Sequence, residues 1–177
     1  MHNYTLHKAT TSDIKTLQHL AIQTFRETYA AQNTPAQMDT YIYDHFSDEQ
    51  LRAEIENPAS EFYLLLDKND SKNEVIAYLK INFAAAQTEL NDPKSLEIER
   101  IYVLKTHHGQ NIGKILYEKT FEIAKQHALE YIWLGVWEHN PRAIRFYEKM
   151  GFQTFGTHIF DFNGDAQTDF LMKILVS

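Results

Sequence analysis

The chain has 177 residues, 44% of them hydrophobic and 13% aromatic, with only 6 Gly and 4 Pro, which fits one globular domain with a proper core and excludes a disordered or low-complexity protein. It has no cysteine, so disulfides, zinc–thiolate sites and a cysteine nucleophile are excluded. The net charge of −7 argues against nucleic-acid binding by bulk electrostatics and is compatible with attracting cations.

In chain order, residues 3–9 predict a short strand. Thr11, Ser12 and Asp13 then supply helix-start chemistry before apolar residues at Ile14, Leu17, Leu20, Ala21 and Phe25. Pro35 opens a second helix. Ser47-Asp48-Glu49-Gln50 has the Ser-x-x-Gln form of a capping box for a third, ending near Asn57-Pro58. Phe62–Asp67 reads as a strand. A longer strand follows, with Val75, Ala77, Leu79, Ile81 and Phe83 on one face and Tyr78, Lys80 and Asn82 on the other. The loop around Asn91-Asp92-Pro93 leads to a strand at Leu96–Leu104. A helix spans Ile112 to Ala128, and Tyr131–Trp137 is apolar enough for a strand buried on both faces. The strand–helix–strand unit predicts a right-handed crossover into a parallel pair. A helix at 141–150 and an Asn-Gly hairpin turn at Phe162-Asn163-Gly164-Asp165 complete an α/β chain with a mixed sheet.

The longest purely apolar run, Phe62 to Leu66, is far short of the ~20 residues of a membrane helix. Met1-His2-Asn3-Tyr4 lacks signal-peptide character, so a cytoplasmic location is the default expectation. The histidines are scattered. Their one adjacent pair, His107-His108, has no further ligands at zinc spacing, and no metal is expected.

Three stretches carry chemistry. In Leu96–Val103 the apolar positions switch from even (Leu96, Ile98) to odd (Ile101, Val103). A period-2 strand makes that switch with an inserted residue, so a β-bulge is expected near Glu99-Arg100; the alternative is a strand buried on both faces. Lys105-Thr106-His107-His108-Gly109-Gln110-Asn111-Ile112-Gly113-Lys114 then places two glycines where a helix start exposes unpaired N–H groups, a setting suited to phosphate. It is neither a P-loop nor a dinucleotide fingerprint. In the third, Asn140 at the N-cap, Pro141 and Gly151 bound a short helix on which Tyr147 is either functional or a core aromatic beside Ile144.

Together, "LEIERIYVLKTHHGQNIGKILYEKTFEIA" and "IWLGVWEHNPRAIRFYEKMGF" resemble the GNAT N-acetyltransferase superfamily, over nearly the whole chain. "SLEIERIYV", "IWLGVWE" and "QTDFLM" resemble its PaiA-type polyamine acetyltransferases. The resemblance implies a GNAT fold: a mixed, mostly antiparallel sheet with a central parallel pair, flanked by helices. It implies acetyl-CoA as co-substrate and a small amine, a polyamine such as spermidine or spermine, as acceptor; it leaves room for a homodimer. The cofactor pyrophosphate is expected on the turn from His108 through Gly109, Gln110, Asn111, Ile112 and Gly113 to Lys114. Here His108 stands where the family has Gln or Arg, and Asn111 where it has Gly; Asn tolerates positive φ, so the turn survives. By the same resemblance, the backbone of Ile101, Tyr102 and Val103 pairs with the pantetheine amides, Asn140 holds its arm and Tyr147 protonates the departing thiolate.

An amine acceptor arrives protonated, with a reference pKa of about 10.4, and needs a base. Glu99 at the expected bulge is the first candidate, directly or through water, and Glu97 the second; a solvated strand edge or an ion pair with Arg100 is the alternative for both. For a polyamine channel, Glu27, Asp39, Asp44, Asp48 and Glu49 are the expected carboxylates. Other acceptors (a protein N-terminus, an aminoglycoside, another small amine) and a non-catalytic acyl-CoA sensor remain alternatives.

Overall fold

A computed structural model describes residues 3–69, 74–162 and 164–176. Seven strands form one sheet: β1 (Tyr4–Lys8), β2 (Ser60–Asp67), β3 (Val75–Phe83), β4 (Ser95–Val103), β5 (Tyr131–Trp137), β6 (Gln153–Phe162) and β7 (Asp165–Leu175). Their spatial order is β1-β2-β3-β4-β5-β7-β6. Five helices flank it: α1 (Ile14–Tyr29), α2 (Pro35–Phe46), α3 (Asp48–Glu56), α4 (Ile112–Gln126) and α5 (Pro141–Met150). β4 and β5 are parallel, and the other pairings are antiparallel. Among the described residues, no helix is long and apolar enough to cross a membrane.

The helix starts follow their capping chemistry. The backbone N–H of Thr10 donates to Asp13 at 2.8 Å, closing a 3₁₀ turn ahead of α1. Thr34 and Gln37 form a full capping box with Pro35 at the first helical position of α2. The box expected at Ser47 is only half made. Ser47 Oγ accepts from the Gln50 N–H at 3.2 Å, but the Gln50 amide donates to Glu54 at 3.0 Å, where it supports a charged cluster. The final two strands pair as a hairpin with Phe162 opposite Asp165; Asn163 of the expected turn lies outside the described residues.

Two departures from simple alternation position the site. β3 is buried on both faces: Tyr78, Lys80 and Asn82 are as enclosed as Leu79 and Ile81. Glu54 of α3 reaches Lys80 at 3.2 Å, so helices cover this face too. Phe83, on the opposite face of β3, packs on His127 at the end of α4. In β4, Lys80 pairs with Arg100 but Ile81 pairs with Ile98, which leaves Glu99 as the extra residue. This is the bulge required by the phase switch, and it lets Ile98 and Ile101 both satisfy the sheet. β4 pairs with β5 only from Ser95–Tyr131 to Ile98–Leu134. Beyond the bulge the two strands part, and the opening between them is the site.

Candidate active site

β4 runs out at Val103 into a 3₁₀ turn (Lys105–His107) and then α4. Gly109 has φ +84° and Asn111 has φ 60°, so Asn111 takes the left-handed conformation that glycine would adopt more cheaply. Gly113 has a packing reason. A Cβ there would lie 3.3 Å from the ring tip of Phe146, so glycine lets α5 approach the start of α4. The His108 ring is engaged on both sides: Nε2 donates to the Val103 carbonyl at 2.8 Å and Nδ1 meets the Arg142 guanidinium. Partial burial lowers its pKa, and the Arg142 charge adds to that against the Val103 bond, so His108 is neutral near pH 7. Positive charge at this turn comes from Lys105, Lys114 and Arg142 instead.

A cavity of about 850 Å³ runs along this strand–turn–helix. It brings together Ile101, Tyr102, Val103, His108, Gly109, Asn111, Ile112, Gly113, Lys114, Asn140 and Tyr147. Gln110 does not line it; its side-chain oxygen accepts from the Tyr4 hydroxyl at 2.9 Å. Asn140 caps α5 by accepting from the Ala143 N–H at 3.2 Å, which fixes that helix against the cavity wall.

A second cavity, of about 440 Å³, opens from the same gap between β4 and β5. The two share Ile101, Tyr102, Trp137, Asn140, Ala143 and Tyr147. Burial pushes the Tyr147 hydroxyl well above the usual tyrosine value, reinforced by Tyr102, so it is a protonated donor throughout the neutral range. Tyr102 is itself held by a hydroxyl contact to Tyr29 at 3.1 Å.

Carboxylates from several elements border this second cavity. Glu99 contacts Lys80 at 2.6 Å and Arg100 at 3.0 Å, and accepts from Asn82 at 2.6 Å. Burial alone would raise its pKa, but the Arg100 and Lys80 charges with these bonds hold it below the usual carboxylate range. Glu97 is the reverse case. Burial raises its pKa despite bonds from the Asn82 amide and the Thr88 N–H, both at 2.9 Å, and from the Thr88 hydroxyl.

The helical carboxylates expected to form an acceptor channel lie elsewhere. Asp39 pairs with Arg26, Asp48 pairs with Lys15, and Asp44 and Glu49 line neither cavity. Glu27 borders the larger cavity, where it accepts from the Lys105 N–H at 2.8 Å. The acidic wall comes instead from Glu89, Glu97, Glu99, Asp161 and Asp169. Three of these, Glu89, Asp161 and Asp169, went unnoticed in the sequence. The "QTDFLM" tail, which contains Asp169, was the available signal.

Residues 20–152 match the Acetyltransferase (GNAT) family. The chain belongs to that family. As a GNAT enzyme it is an acetyl-CoA-dependent N-acetyltransferase. It is 40% identical over 151 residues, 85% of each chain, to an uncharacterized N-acetyltransferase in the pepI 3′ region of Lactobacillus delbrueckii subsp. lactis. It is 25% identical over 157 residues to spermidine N(1)-acetyltransferase of Thermoplasma acidophilum, covering 89% of this chain and 92% of that one. Among solved structures, PaiA N-acetyltransferase from Thermoplasma acidophilum in complex with coenzyme A superposes with a TM-score of 0.77 at 22% identity, covering 97% of this chain and 98% of the other. The GNAT fold, with its central parallel pair, is therefore that expected from the sequence.

Proposed function

We propose that this GNAT enzyme transfers the acetyl group of acetyl-CoA to a primary amine by direct attack in a ternary complex, with a polyamine such as spermidine or spermine as acceptor. The observation that carries the reading is the pair of cavities meeting at Tyr147. One has the cationic turn a pyrophosphate needs, and the other is bordered by carboxylates that suit an ammonium. Acetyl-CoA lies along Ile101–Val103 with its pyrophosphate near Gly109–Lys114. The thioester then reaches the junction, where the amine nitrogen attacks the carbonyl carbon, the C–S bond breaks and Tyr147 gives its proton to the thiolate sulfur. Glu99 serves the base pathway through water, since its oxygens already hold Lys80, Arg100 and Asn82. The similarity to a spermidine N(1)-acetyltransferase supports the acceptor class.

The test is thiol release from acetyl-CoA with a panel of amines, including spermidine and n-butylamine, at rising ionic strength. Several charges on one substrate predict a steep salt-dependent fall in kcat/KM for spermidine and little change for the monoamine. Equal responses, or no acetylation of spermidine, would remove the polyamine acceptor and leave a monoamine acetyltransferase.

A further inference from the structure

Asp169 on β7 differs from the other acidic groups of the acceptor cavity. Its Oδ1 is buried and has no hydrogen-bond partner among the described residues. Asp169 is the register partner of Trp137 on β5, whose Nε1 is also buried without a partner while the residue is 7% exposed and borders the same cavity. A buried acceptor and a buried donor left open on one register pair are rare in a folded protein, and here both belong to residues that border one cavity. Glu97 and Glu99 have no such opening, because Asn82, Thr88, Lys80 and Arg100 already bond to them.

The local backbone keeps this carboxylate accessible from the cavity. Gly135, two residues before Trp137, is exposed, and a Cβ there would stand 3.2 Å from Asp169 Oδ2. Glycine thus leaves the sheet face open beside the carboxylate. Around it stand His158 of β6, Glu89 from the loop before β4, Glu138 after β5, Tyr29 of α1 and Tyr102 of β4. Burial raises the Asp169 pKa to about 6; His158 opposes the rise, and Glu89 and Glu138 add to it. His158 is itself drawn to Glu89 at 3.2 Å.

We propose that Asp169 is the carboxylate that meets the acceptor's ammonium and removes its proton. This rests on the amine reading above and names the group that acts first in it. The ammonium, with three donors, enters with one aimed at Asp169; its proton passes to the carboxylate and the nitrogen keeps its electron pair for attack on the thioester carbon. After the C–S bond breaks, the surplus proton on the new amide nitrogen replaces the one Tyr147 gave to sulfur. Asp169 then returns its proton to solvent, so each turnover releases one proton. Glu99, held ionised by two cations, does not take the ammonium proton itself; it orders the water through which Asp169 returns that proton to solvent.

The experiment compares the unaltered enzyme with Asp169→Asn, which keeps the shape and removes the base. Acetyl-CoA binding by calorimetry and kcat for spermidine and n-butylamine are measured from pH 5 to 9. The unaltered enzyme should lose activity as pH falls through about 6, where Asp169 takes up a proton. Asp169→Asn should bind acetyl-CoA equally well, lose about 10²- to 10⁴-fold in kcat and lack that acid limb. If the limb persists in the variant, or if the variant no longer binds acetyl-CoA, Asp169 is structural and the inference is overturned. If the unaltered enzyme acetylates neither amine, the amine reading falls and takes the inference with it.

Discussion

Glu99 and Glu54 provide a matched pair of perturbations. Both carboxylates contact Lys80 and Arg100, in a cluster whose side chains are 6% (Lys80), 8% (Arg100), 12% (Glu54) and 18% (Glu99) exposed. Changing either Glu to Gln keeps the shape but leaves two buried cations facing one carboxylate. Breaking a buried pair in this way costs about 3–5 kcal/mol. At roughly 2–4 °C per kcal/mol for a chain of this size, both variants should melt about 6–20 °C lower. Of the two, only Glu99 borders the second cavity. Thiol release well below both melting temperatures should therefore separate them, with Glu99→Gln losing roughly 10²-fold more turnover than Glu54→Gln. Rising pH should restore part of the Glu99→Gln loss as free amine accumulates. Equal loss of rate at equal loss of stability would refute a role for Glu99 in proton removal and leave it an ion-pair partner. The sign of its stability term follows from its depressed pKa. The contribution is full above the unfolded carboxylate value of about 4.3 and is lost as pH falls through the lower folded value. Glu99→Gln should accordingly flatten the acid side of a melting-temperature profile.

Tyr147→Phe removes one hydroxyl from the junction of the cavities. It should lower kcat by about 10²-fold or more while acetyl-CoA still raises the melting temperature; full activity would make Tyr147 a packing residue. Asn111→Gly should preserve or tighten acetyl-CoA binding, because the residue already sits at φ 60° and glycine reaches that conformation without Cβ strain. Asn111→Ala should cost about 1 kcal/mol of stability, read from denaturant midpoints. A loss of acetyl-CoA affinity in Asn111→Gly would assign binding to the Asn side chain itself.

Local signals were legible where one segment contains its own constraint. The β4 bulge could be read because a change of apolar phase at Glu99-Arg100 has few backbone solutions, and Asn111 could be read because few residues tolerate its conformation. The buried charges of β3 and β4 were not legible. Lys80 and Asn82 alternate with apolar residues as on a solvated face, and partners distant in sequence enclose them: Glu54 and Glu99 hold Lys80, while Ser60, Glu97 and Glu99 hold Asn82. The acidic wall of the second cavity was hidden because it too is assembled from distant segments. A hairpin at the end of the chain announces itself, but its insertion beside β5, which sets Asp169 against Trp137, depends on long-range pairing. The acidic residues expected from the early helices lie outside the second cavity: Asp39 and Asp48 pair with Arg26 and Lys15, and Glu27 borders the larger cavity.

The parallel seam between β4 and β5 consists of four residue pairs. It is the one hydrogen-bonded strand contact joining β1–β4 to β5, β7 and β6 in the sheet. The sheet is thus two leaves sharing a short spine, and the spine ends where the larger cavity begins. Ile101–Val103 line one side of that cavity, and Trp137 and α5 residues that follow it line the other. The shortest strand seam of the sheet therefore leads into the candidate site.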